Sequence, residues 1–513
     1  MFKKAHLQKK HYKGVFYKTK SLSLQVNYQA HFLCRTMARK HFLSFDENSE
    51  ELLKKYEDFA AGISPAGYFD VEEFESIINH YLFLGSIEKA ATALEIGLKQ
   101  HPASSDLQIK RAKILLLDNQ AEQAYQILQS LTEQGDYEST ILKIDALLKL
   151  NRNDEASAVV ENFFATNESE LLLELAFLDL ALLYMHYEKW NTALKLLEKG
   201  RSKNPRNIDI LFELTTCYEQ LLDFDKAIEN QKYILEINPF LSEAWFNLGQ
   251  LYFSQHNYTQ ALDAFDYSLA INPKDMQACL QKAHVLLNLE RFDEAVEHYM
   301  EFIENADTPL KGLIYGYIGE CYEYLEKNEK AIYWYQKSLE LEPESCDSLV
   351  GLGICMLEQE RFEEGLIYLQ KAIEIDPEFA ETYVYLAEAY IGMDDIDSAL
   401  SAYKKSLEFE PNQAETLVAV GTLLLEKDEF RTALDYYESA YKLNPDLEQI
   451  NLFLAIVHFK LNNFDIAMEY LLEAVTIDHQ ALSDFLEICP EAAERLEKSS
   501  QSEENVLKRS AAG

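Results

Sequence analysis

A chain of 513 residues with 48% apolar residues, 17 glycines and 11 prolines is too long for one compact core but apolar enough to fold, so several domains or one long array is expected. A net charge of −40 leaves no basic stripe of the kind that phosphate binding needs, which excludes nucleic acid as the expected partner. No apolar run reaches the roughly 18–20 residues that span a bilayer, and seven scattered cysteines without a C-x-x-C pair read as reduced core thiols in a cytoplasmic protein.

The first forty residues stand apart, with ten Lys/Arg and no Asp/Glu. Residues 1–36 are too polar for a secretory signal. A transit peptide and an RNA-binding arm are alternatives. The preferred reading is translated upstream sequence, or a disordered segment, with the true start at Met37. Residues 37–70 then hold a capping helix and a linker. "ENSEELLKKYEDFA" (Glu47–Ala60) forms the helix, with Leu52, Leu53, Tyr56 and Phe59 on one face.

From Val71 a ruler runs along the chain. A small residue recurs at Ala90, Ala124, Ala156, Ala193, Ala227, Ala261, Ala295, Ala331, Gly365, Ala399, Ala433 and Ala467, at intervals of 32–37 and mostly 34. Pro205, Pro239, Pro273, Pro343, Pro377, Pro411 and Pro445 keep the same beat. Such a period marks stacked supersecondary units. In "EAWFNLGQLYFSQHNYTQALDAFDYSLAINP", Trp245, Leu248, Gly249 and Tyr252 share one face of a first helix. Ala261 and Phe265 share a face of a second. Gly249 and Ala261 are small where the helices cross, and Pro273 ends the second helix. One hairpin cannot bury its own apolar face, so neighbours must cover it.

The spacing Trp–x2–Leu–Gly–x2–Tyr, then Ala–x3–Phe, then Pro resembles the tetratricopeptide repeat. "SLVGLGICMLEQERFEEGLIYLQKAIEIDP" and "ETYVYLAEAYIGMDDIDSALSAYKKSLEFEP" repeat it. The resemblance implies an all-α, right-handed superhelical solenoid of about twelve antiparallel hairpins. Three degenerate units are expected over 71–173, with Ile78 and Ile144 where Gly or Ala is usual, and nine units over 174–481. Extra residues near "FATNESELL" place a subdomain boundary at Ser169. A C-terminal capping helix is expected over 482–498 and a disordered tail over 499–513.

No phosphate loop, nucleophile elbow or metal-ligand spacing occurs, so no catalytic, cofactor or metal residue is assigned and no enzyme is expected. "GLGIC" (Gly351–Cys355) sits at a helix crossing, and His284 reads as a packing residue. The family resemblance implies a groove lined by the first helices. One expected inner row runs through Phe212, Phe246, Leu280, Gly316, Val350, Val384 and Val418, ending at Leu452. A second contains Glu219, Phe253, Leu287, Glu323, Leu357, Ile391, Leu425 and Phe459. An acidic rim follows Asp209, Glu243, Asp347, Glu381 and Glu415. Tyr324 stands near Gly316, where the sequence is readable as a bend in the superhelix after the two-residue insertion before it or, as the lesser alternative, as a local pocket.

These rows imply a non-catalytic scaffold that binds a protein or peptide, basic with apolar anchors, without membrane insertion. The inner rows are equally readable as helix packing alone. A regulatory or substrate-presenting subunit of an enzyme complex and a small-ligand sensor are the alternatives. Some relatives clamp a partner's terminal carboxylates with basic residues. That role does not transfer, because these rows lack Lys and Arg until Lys460.

Overall fold

A computed structural model describes residues 47–61, 63, 67–131, 137–305, 308–447 and 449–493. The expectations for residues 1–36, the start at Met37 and the tail from Ser499 lie outside them. Among the described residues there are helices and no strand, in two compact units, Met1–Asn257 and Tyr258–Gly513.

In the first unit the helices are α1 (Glu47–Ala60), α2 (Val71–Phe83), α3 (Ile87–Gln100), α4 (Ser105–Leu117), α5 (Ala121–Ser130) and α6 (Tyr137–Lys149). They continue as α7 (Asn153–Thr166), α8 (Glu170–His186), α9 (Trp190–Lys203), α10 (Ile208–Gln220), α11 (Phe224–Ile237) and α12 (Ser242–Ser254). The second unit holds α13 (Tyr258–Ile271), α14 (Met276–Asn288), α15 (Phe292–Asn305), α16 (Lys311–Tyr324), α17 (Asn328–Leu341), α18 (Cys346–Glu358) and α19 (Phe362–Ile375). It closes with α20 (Ala380–Gly392), α21 (Ile396–Phe409), α22 (Ala414–Glu426), α23 (Phe430–Leu443), α24 (Ile450–Lys460), α25 (Phe464–Ile477) and α26 (Ala481–Ile488).

Local chemistry sets these bounds. The helices that end at Lys203, Ile237, Ile271, Leu341, Ile375, Phe409 and Leu443 each stop two residues before a proline, whose ring disfavours helical geometry in the residue before it. Several first helices open on a side-chain cap. Asn207 Oδ1 accepts from the Ile210 amide at 3.2 Å, and Asp275 Oδ1 accepts from the Ala278 amide at 3.1 Å. Between the two helices of a hairpin the chain turns through a left-handed residue, such as Glu360 (φ 58°) or Asp428 (φ 60°).

At Leu222 that turn falls on a branched side chain with φ 59° and 74% exposure. A left-handed backbone costs a non-glycine residue roughly 1–2 kcal/mol. Leu222→Gly is therefore expected to raise stability by up to about 1 kcal/mol, after the entropy glycine loses on folding. Urea denaturation checks this, and a loss of stability would show that Leu222 is held by packing.

Small residues sit where two helices meet. A Cβ at Gly353 in α18 would lie 2.7 Å from Leu369 Cγ in α19, and one at Gly365 would lie 3.2 Å from the Gly353 carbonyl oxygen. Tyr335 in α17 is wedged against two glycines, with its ring 2.7 Å from a Cβ at Gly319 and its tip 2.2 Å from one at Gly351. Both glycines of "GLGIC" thus lie inside a helix, as packing positions.

The degenerate first units use different means. Ile78 and Ile144 are fully buried. Lys110 in α4, only 4% exposed, pairs with Glu138 in α6 at 2.9 Å and Glu75 in α2 at 3.4 Å. Tyr137 donates to Asp179 at 2.6 Å, and Tyr187 to Asp145 at 2.5 Å.

The expected boundary at Ser169 is replaced by a longer helix. Ser169 caps α8, which has 17 residues against 13 in α10. The added residues form one more turn, and Phe164 stacks on Phe177 at 4.4 Å across the joint. The division into compact units falls instead at Asn257 and Tyr258. At the ends, Tyr56 of α1 packs edge-on against Phe69 and Phe74. Phe485 of α26 is fully buried and meets Phe459 of α24.

Candidate functional site: an acidic inner face

The first helices repeat one register. Positions 2, 5, 9 and 12, counted from Ile208, Ser242, Met276, Gly312, Cys346, Ala380 and Ala414, share a helix face. In the first unit Phe212, Phe246 and Phe253 are half-buried, as is Asp209, and Glu243 is exposed. Burial pushes the half-buried Glu219 carboxyl up to about 7.

In the second unit the expected apolar rows are largely consumed by packing. Leu280, Val350, Leu357, Val384, Val418 and Leu425 each retain 7% exposure or less. They are core residues, which corrects their reading as open anchors. Leu452 and Phe459 are likewise buried. Leu287, Gly316 and Ile391 remain half-buried.

Gly316 does not open a pocket of its own. A Cβ there would lie 3.2 Å from Ser348 Oγ and 3.6 Å from Ser338 Oγ, which fill that approach. Tyr324 is 46% exposed and stacks on Phe292 at 4.9 Å. A surface depression of about 450 Å³ lies elsewhere, lined in part by Tyr383, Tyr390, Ser401 and Lys405. Lys460, the basic exception on the inner rows, is held by Glu491 at 2.9 Å.

What the face does present is carboxylate. Glu320 and Glu323 come from α16, Asp347 from α18, and Glu381 and Glu388 from α20. Glu320 feels the charges of Glu323, Asp347 and Glu381, Glu323 feels Glu358 and Glu381, and Glu388 feels Glu381. Three successive first helices therefore aim their acids at common space. Burial first, then these like charges, pushes Glu320 and Glu323 up to about 8 and Glu381 and Glu388 up to about 7. Among the described residues, none of the groups acting on these four is a cation.

Tyrosines hold the acids in place. Tyr335 donates to Glu323 at 2.7 Å and Tyr385 to Glu381 at 3.2 Å. The expected rim residues Glu381 and Glu415 are half-buried, while Asp347 is exposed. Asp347 keeps an exposed side chain although its carboxyl lies amid neighbouring protein, and that partial desolvation, then the Asp376 charge, raises it. Next to the acids, the His284 ring lies 5.5 Å from Tyr299 and 5.0 Å from Tyr317. Burial holds His284 down to about 4, so it is a neutral packing ring.

Of the ninth position, the sequence analysis weighed His284 alone and passed over Glu320 and Glu388. The available signal was a polar residue at this position in six of the seven first helices, Thr216, Gln250, His284, Glu320, Glu388 and Thr422, broken only by Ile354.

Stacked antiparallel helix hairpins with a repeated, side-chain-lined face define a helical repeat protein of the solenoid class. Family models described as tetratricopeptide repeat match residues 242–275, 280–345, 357–420 and 424–486. The region from 242 to 486 belongs to the tetratricopeptide-repeat family. Among curated relatives, the chain is 23% identical over 284 residues to the DnaJ homolog subfamily C member 7 homolog of Dictyostelium discoideum, covering 52% of this chain and 48% of that protein. It is 24% identical over 224 residues to the Hsp70-Hsp90 organizing protein of Triticum aestivum, covering 44% and 36%. It is 28% identical over 114 residues to the RNA polymerase-associated protein CTR9 of Caenorhabditis elegans, covering 22% and 10%. The chain thus spans half or less of the length of these relatives. Among solved structures, the APC/C hetero-tetramer Cut9-Hcn1 is matched over 82% of this chain and 98% of that one, with 15% identity and a TM-score of 0.40. No described helix is long and apolar enough to cross a membrane.

Proposed function

We propose that this protein is a non-catalytic scaffold that holds a partner protein through a Lys/Arg-bearing segment laid across α16, α18 and α20. Repeat arrays use such extended faces for binding. One observation carries the charge assignment: Glu320, Glu323, Glu381 and Glu388 are half-buried, crowded together and, among the described residues, uncompensated by any cation. Burying like charges without a partner is unfavourable. A guanidinium or ammonium from outside supplies what the fold withholds, with Tyr324 and the half-buried Leu287 and Ile391 as apolar flanks. Cys217, Cys321 and Cys355 are unpaired and fully buried, which fits the reducing cytoplasm.

The experiment is affinity isolation of the native partner, followed by cross-linking and mass spectrometry. The expected result is a basic segment cross-linked to lysines bordering α16–α20. An acidic contact segment, or a partner seated on the outer faces of the second helices, would overturn the assignment.

A further inference from the structure

Away from the acidic face, the hairpin of α14 and α15 brings together three side chains that no repeat position requires. Cys279 lies in the first helix, and His298 and Glu301 lie one turn apart in the second. Cys279 Sγ is 3.8 Å from His298 Nδ1 and 3.6 Å from Glu301 Oε2, and His298 Nδ1 is 3.3 Å from Glu301 Oε2. In the next unit the positions equivalent to Cys279 and His298 are Tyr315 and Trp334, whose rings meet at 5.3 Å. The other units place mainly apolar side chains there, as in Leu349 and Tyr368 or Tyr383 and Ala402, and none pairs a thiol with an imidazole.

We propose that Cys279 Sγ, His298 Nδ1 and Glu301 Oε2 bind a zinc ion that staples α14 to α15. With zinc bonds of roughly 2.3 Å to sulfur and 2.0–2.2 Å to nitrogen and oxygen, a tetrahedron has edges of roughly 3.5 Å to sulfur and 3.3 Å between nitrogen and oxygen. The three donor separations match those edges to within a few tenths of an ångström without backbone movement. A thiolate with an imidazole selects zinc over magnesium or calcium. Water completes the fourth position.

The charges also balance. A thiolate and a carboxylate offset the divalent ion, and the neighbouring Lys282 is engaged by Asp266 at 2.7 Å.

The test titrates the full chain, stripped with chelator, with Co²⁺ as an optical probe and then with Zn²⁺. One equivalent of Co²⁺ should produce a thiolate-to-metal charge-transfer band that Zn²⁺ abolishes. Cys279→Ser should remove the band. His298→Gln and Glu301→Gln should weaken binding at least ~10-fold, since loss of even an outer partner typically costs that much. Glu301 is exposed, so its variant keeps the fold. The absence of a band, a band that survives Cys279→Ser, or affinity unchanged in both other variants would overturn the site. The outcome is independent of whether α16–α20 binds a basic partner.

Discussion

Gly353→Trp is expected to destabilise the second unit by at least ~1–3 kcal/mol, the range for overpacking a filled core. A Cβ alone at this position would come within 2.8 Å of two carbons of Leu369, which is itself fully buried. The two backbones meet closely here, since a Cβ at Gly365 would lie 3.2 Å from the Gly353 carbonyl oxygen, which leaves little room for an indole. Ala399→Trp, at a fully buried position where α21 meets α20, should act in the same direction. Contacts in such arrays run between neighbours, so the loss should be local. Urea unfolding measures its size, and amide hydrogen exchange should show protection falling first in α17–α20. Unchanged melting of both variants would refute the crossing assignment.

Replacing Glu320, Glu323, Glu381 and Glu388 together with Gln should stabilise the free protein near pH 8 and abolish capture of a basic segment. In the unfolded chain these carboxyls titrate near ~4.3, whereas in the fold they stand at about 7 to 8. Between those values the folded state binds more protons than the unfolded one. Their contribution to stability is therefore complete below about pH 4.3 and is lost as pH rises through 7 and 8.

Wild-type melting temperature should fall from pH 5 to pH 8.5, and the variant should fall less. Affinity for the partner runs the other way. A Lys/Arg segment needs ionised carboxylates, so binding should strengthen from pH 6 to pH 8, release protons and weaken with added salt. Calorimetry in two buffers of different ionisation enthalpy counts the protons. A more stable variant that no longer binds cannot be explained by unfolding. A variant that binds as tightly as wild type would leave these acids without a role in recognition.

Asp347, which is exposed, is a suitable site for charge reversal to Lys as a further test of the acidic face. Glu381 is less so, because it accepts a hydrogen bond from Tyr385. Val384, at 4% exposure, belongs to the core, so Val384→Ser is expected to lower stability and is no test of binding.

The amino-acid sequence by itself determined the repeating helical unit and where its helices end. Helix bounds follow from prolines, caps and turn residues within a few positions, and the small residues at Gly353 and Gly365 announce a crossing because nearest-neighbour packing has the period of the sequence. The tertiary structure decided what each inward position was for. Val350 and Glu320 both stand at inward positions of their helices, yet one is 1% exposed in the core and the other faces shared acidic space. Burial and charge depend on side chains from three helices, about 34 residues apart, and no local pattern records them. The same holds for Ser169, where an insertion that reads as a break became an extra turn of α8 because the helix could grow without disturbing its partners. Cys279 and Glu301, 22 residues apart, carry no recognisable spacing, since only the antiparallel return of α15 along α14 puts their donor atoms together.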